Sequence, residues 1–187
     1  MMSRSIREID YRIDLLHDVI VGIDTGLAAI QVRLDTQEWF DGLSAREHAE
    51  PLFGLVFVAA QTYAIGTVSD LNSVRISRLK SKKEKLYCYA CDTVALKGSV
   101  TRIQLINASA NYFKHHDEWT RWPTRGKGAY DTKILDSVGI NEKTEFPCID
   151  AFELLCGTSW ELIALPKILK EWRAHLFGTL GKALRDG

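Results

Sequence analysis

Apolar residues recur along the first forty positions in unbroken steps of three and four: Ile6, Ile9, Ile13, Leu16, Ile20, Ile23, Leu27, Ile30 and Leu34. Steps of that size place all of them on one face of a single helix. The sevenfold repeat keeps this seam aligned with a nearly parallel neighbour, as in left-handed bundles. At 1.5 Å per residue the predicted helix is roughly 45–50 Å long. Gly22 and Gly26 sit four apart within it, each costing about 1 kcal/mol of helix propensity. They read either as two tolerated glycines or as a place where a second backbone comes close.

Asp41-Gly42 and Ser44 interrupt the pattern, and Ser44 with Glu47 reads as a capping box. A second long helix is predicted over residues 45–79, with its stripe at Phe53, Val56, Ala60, Tyr63, Thr67, Leu71 and Val74. Pro51 fits it only near the first turn or at a kink. Two long helices joined by a short polar link predict an antiparallel hairpin. A third helix over residues 83–96, closed by Gly98, and a fourth over 100–119 follow. Residues 121–128 hold the only dense Pro/Gly punctuation. Shorter helices are predicted at 131–138 and 149–156, then an amphipathic one at 166–184. Strand-like alternation is almost absent. The predicted fold is all-α, a single domain over residues 1–187. Residues 1–120 form a four-helix up-and-down bundle, and 121–187 form a loop and a C-terminal helical appendage.

Composition places this among ordinary globular chains: 187 residues, 46% hydrophobic, 26% charged, with 4 Pro. Disorder and collagen-like folds are excluded. The longest apolar run, residues 52–60, is about half of what a membrane span needs, so no membrane association is expected. A charged N-terminus shows no signal peptide, and four cysteines make no disulfide framework, so the expected location is cytoplasmic. Charge sums to zero, yet residues 1–50 hold 5 basic and 10 acidic side chains and residues 51–100 hold 7 and 3. That asymmetry suits two solvated helix faces or a polar association.

The sharpest chemistry lies in Asn111-Tyr-Phe-Lys-His-His-Asp-Glu-Trp119. On a helix Asn111 and His115 lie one turn apart on one face, with Glu118 and Trp119 near it, and Lys114 and Glu118 at pairing distance. Histidine serves as acid or base near neutral pH, and asparagine can fix its tautomer or hold a phosphate oxygen. The plainer alternative is a polar helix end whose histidines cap carbonyls.

A polar residue, three others and a histidine on a late helix of an all-α bundle resembles the HEPN superfamily, whose motif is Arg, then Asn, Asp or His, three residues, then His. Asn111-Tyr-Phe-Lys-His115 matches its last five positions, and Ala110 stands where the motif has Arg. The resemblance covers residues 1–120. It implies a metal-independent ribonuclease of a prokaryotic defence or toxin–antitoxin system, or an RNA-binding relative without activity. It also implies dimerisation that sets motif residues face to face. By that resemblance His115 would be the acid/base and Asn111 its positioning partner; Lys114, His116 and Glu118 of the same polar segment are the further candidate catalytic residues. The cation needed by a charged phosphorane would come from Lys114, Arg121 or Arg125.

The adjoining loop interleaves Trp119, Arg121, Trp122, Arg125 and Lys127. Indoles stack on unpaired bases and cations hold phosphates, so these are the candidate nucleic-acid contacts. Equally, the tryptophans could plug the bundle end. Residues 75–85 carry six positive charges and one negative, suiting a nucleic-acid contact or, better, a solvated helix junction. Cys88-Tyr-Ala-Cys91 lacks a second ligand pair and reads as core packing. Neither a metal nor another cofactor is expected. The expected partners are RNA and either a second copy or a helical protein. The competing function is a non-catalytic helical adaptor or dimerisation subunit. A metal nuclease using His115, His116, Asp117 and Glu118 is weaker, because consecutive residues point around a helix.

Overall fold

The computed structural model describes residues 10–73 and 82–183. These form seven α-helices: α1 (Tyr11–Thr36), α2 (Gly42–Ser73), α3 (Lys82–Ala90), α4 (Arg102–His115), α5 (Ala129–Val138), α6 (Pro147–Cys156) and α7 (Ala164–Ala183). Single 3₁₀ turns at Lys97–Ser99 and His116–Glu118 flank α4, and no strand occurs among the described residues. The all-α class is thus established.

The α1 seam does what its spacing requires. Ile13, Leu16, Ile20 and Ile30 are buried, and Ile23, Leu27 and Leu34 pack partly buried against the same core. Ile6 and Ile9 lie outside the described residues. Helix α2 returns antiparallel, since Arg12 meets Asp70 while Gly26 meets Leu52. Only Gly26 of the two α1 glycines touches the neighbour. A Cβ there would stand 3.1 Å from Leu52 Cδ1, whereas Gly22 has nothing within 4 Å.

One local expectation needs correction on α2. The helix begins at Gly42, and the Asp41 carboxylate accepts the Ser44 N–H at 2.9 Å. Asp41, not a Ser44–Glu47 box, therefore satisfies the first turn. The helix also continues through Pro51, well past its first turn. Its stripe is buried at Phe53, Val56, Ala60, Tyr63, Thr67 and Leu71, while Val74 lies outside the described residues. By length and composition α2 is apolar enough to cross a membrane, but 61% of that stretch is buried inside the fold. That burial is the character of a core helix.

Helix α3 ends at Ala90, short of the expected 96. Asp92 turns back there to hold Arg102 through two hydrogen bonds of 2.8 and 2.9 Å. Thr101 then starts α4 with a full capping box to Gln104. Helix α4 runs antiparallel to α2 at very close range. A Cβ on Gly54 would fall 2.0 Å from Phe113 Cδ2, so glycine alone permits this approach.

The later helices are not an appendage. Leu135, Ile149, Phe152, Leu169, Trp172 and Leu176 are fully buried in the same continuous cluster as α1, α2 and α4. Two polar devices pin them. Glu50 of α2 accepts the backbone N–H groups of Cys148 and Ile149 at 2.7 and 3.0 Å, placing a carboxylate at the start of α6. Arg173 of α7, 5% exposed, reaches Asp10 and Asp70 at 3.4 Å each. Asp70 also takes a bidentate Arg12, and Tyr63 donates its hydroxyl to Asp10.

Candidate functional site

Helix α4 carries a polar ladder at Asn107, Asn111 and Lys114, spaced four and three residues and hence on one face. This face looks onto Gln61 of α2 and Asp131 of α5. Gln61 Nε2 donates to Asn107 Oδ1 at 3.0 Å and to Asn111 Oδ1 at 2.9 Å. Asn111 Nδ2 donates to Asp131 Oδ1 at 3.0 Å. Lys114 Nζ donates to Gln61 Oε1 at 2.6 Å, and burial lowers its pKa below the usual lysine value. Gln61 and Asn107 are buried, so the ladder meets the requirement that polar groups between packed helices find partners.

At His115 the geometry changes. Its φ of −129° leaves the α-helix, and His116–Glu118 continue as a 3₁₀ turn. In that tighter winding residues three apart eclipse, which brings Glu118 onto His115. The His115 Nδ1–H donates to Glu118 Oε1 at 3.1 Å. The histidine's hydrogen bond is the main reason Glu118 is held below the ordinary carboxylate range. Among the described residues no hydrogen bond engages His115 Nε2. A carboxylate that fixes one ring nitrogen leaves the other available for proton transfer.

Two expected pairings are therefore replaced. Lys114 bonds Gln61 and not Glu118. Asn111 is committed to Gln61 and Asp131 and does not orient His115; Glu118 does. His116 turns away from the site, its Nδ1 against the carbonyls of Tyr112 and Phe113 at 3.3 and 3.1 Å and its ring stacked on Tyr112 at 4.9 Å. It terminates the helix, as the plainer alternative held.

The following loop folds back over the end of α4. Gly126 and Gly128 take left-handed φ values of 74° and 90°. A Cβ on Gly128 would also meet Pro123 at 3.1 Å and Trp119 at 3.2 Å. The result is a cavity of about 230 Å³ lined by Asn111, His115 and Trp119 together with Lys127, Tyr130, Asp131 and the two glycines. Lys127 Nζ lies 3.9 Å from Glu118 Oε2 with its side chain largely exposed. Burial raises the Tyr130 pKa above the ordinary tyrosine value.

Of the expected nucleic-acid contacts, Trp119 and Lys127 line this cavity. Trp122 instead packs edge-on against Trp119 at 5.9 Å and donates to Asp136 at 3.3 Å. Arg121 and Arg125 are exposed and outside the lining. Tyr130 and Asp131 had carried no expectation, because nothing in their spacing ties them to a histidine fifteen residues earlier. Ala110 is fully buried, so a motif arginine at that position would be sunk in the core. Cys88 and Cys91 form no disulfide among the described residues; Cys88 is buried, and burial raises the Cys91 thiol above its usual range. No three His, Cys, Asp or Glu side chains converge on a metal site among the described residues. Positions 75–81 of the basic segment lie outside the described residues. No protein-family model, curated protein or solved structure matches the chain.

Proposed function

We propose that this chain is a HEPN-like cytoplasmic protein that binds RNA and cleaves it without a metal, in a prokaryotic defence or toxin–antitoxin setting. One observation carries the reading: His115, oriented through Nδ1 by Glu118, shares a cavity with a cation and an indole. In the proposed reaction His115 Nε2 accepts the proton of a ribose 2′-hydroxyl. The 2′-oxygen attacks the adjacent phosphorus, and His115 returns the proton to the departing 5′-oxygen. Products are a 2′,3′-cyclic phosphate and a 5′-hydroxyl. Lys127, which lines the cavity where Arg121 and Arg125 do not, would stabilise the phosphorane charge. Trp119 offers a stacking surface for a base.

The test is RNA cleavage in EDTA by wild type and His115→Ala. The expected result is cutting by the wild type and a loss of at least 100-fold in the variant, the usual minimum for removing an acid/base group. Cutting at the normal rate by His115→Ala would place the chemistry elsewhere.

A further inference from the structure

A second cavity, of about 250 Å³, opens as a groove between α1 and α2. Arg12, Leu15, Leu16 and Val19 line it from α1, and Ala59, Thr62 and Tyr63 from α2. Leu15 is 62% exposed and Val19 46%, and Leu55, one turn before Ala59, is 48% exposed. A run of large apolar side chains at the mouth of one groove is the kind of surface that marks a protein contact.

The charge beside it selects the partner. Asp14 and Asp18 are exposed and immediately precede Leu15 and Val19, so they form a parallel row one turn apart. The two arginines of this helix do not offset it. Arg12 is paired with Asp70, and Arg33 lies about four turns beyond Val19. An isologous second copy would set acidic rows near their own equivalents, and an RNA would face the same repulsion.

We infer that this groove receives a basic amphipathic helix of a partner protein. Apolar side chains of that helix at i and i+4 enter between α1 and α2, and its Lys or Arg residues lie over Asp14 and Asp18. This is helix-in-groove recognition, with the charges setting partner choice and encounter rate. The inference is independent of the His115 cavity.

The probe is a fluorescein-labelled helical peptide of Leu and Lys with Leu on one face, compared with the same peptide carrying Glu for every Lys. Fluorescence anisotropy is expected to show the Lys peptide binding at least tenfold tighter than the Glu peptide, weakening with salt. Leu15→Lys with Val19→Lys should abolish binding, and Asp14→Lys with Asp18→Lys should weaken it at least tenfold. Asp35→Lys, at the far end of α1, should leave it unchanged. All these positions are exposed, and circular dichroism checks that the variants fold. Equal affinity for both peptides, or binding indifferent to Leu15 and Val19, overturns the proposal. So does light scattering that shows a dimer dissolved by Leu15→Lys, since a second copy would then fill the groove.

Discussion

Gly54→Ala isolates the contact on which the approach of α4 to α2 depends. The new Cβ would lie 2.0, 2.3 and 2.4 Å from Phe113 Cδ2, Cε2 and Cγ. Carbon atoms pack at about 3.5–4.0 Å, so the ring or the helix must retreat by roughly 1.5–2 Å. Overpacking of this kind costs about 1–3 kcal/mol. Against it, alanine improves helix propensity over glycine by about 1 kcal/mol. With strain in the upper half of its range, the net expectation is a loss of about 1–2 kcal/mol, or roughly 2–8 °C in Tm for a chain of this size. Urea unfolding followed by circular dichroism measures it. The companion experiment is the same substitution in a Phe113→Ala background, where the obstacle is gone and only propensity remains. There Gly54→Ala should stabilise by about 1 kcal/mol, a reversal of sign. If Gly54→Ala stabilises the otherwise wild-type chain, Phe113 does not occupy the space assigned to it, and the placement of the last turn of α4 fails with it.

Two further outcomes follow from charge placement. Arg102→Met should cost about 3–5 kcal/mol in thermal or urea unfolding, because it strands the fully buried Asp92 carboxylate; a loss under 1 kcal/mol would mean that water reaches Asp92. Glu118 has a folded pKa below its ordinary value, so its pairing contributes above the unfolded pKa near 4.5 and is lost as pH falls through the lower folded value. A carboxyl-carbon NMR titration should show the Glu118 midpoint rising toward 4.5 in His115→Ala, and an unmoved midpoint would break the His115–Glu118 pair.

The legible parts of this fold were those encoded in one helix's own spacing. The three-and-four steps from Ile13 to Leu34 needed only a neighbour, and Asn111 and His115 reach one cavity because they are four apart. Partners from distant segments were not legible. Glu50 capping α6, Gln61 under Lys114, and Tyr130 beside His115 depend on how helices dock, which a single stretch does not encode. The exchange of Glu118 from Lys114 to His115 turned on one backbone angle. An α-helical extrapolation through residue 115 assigns the wrong neighbour as soon as the winding tightens to 3₁₀. Gly54 looked like any glycine in a long helix until Phe113 stood over it.

The Arg173 clasp bears on how this molecule comes apart. One guanidinium holds the start of α1 through Asp10 and the last turns of α2 through Asp70. Helix ends are ordinarily where a bundle frays, each opening at little cost. Here α7 cannot leave without taking Arg173 away from both Asp10 and Asp70, and α1 cannot lift without taking Asp10 away from Arg173 and Arg12 away from Asp70. The three segments therefore open as one cooperative unit, joining the beginning of the fold to its end.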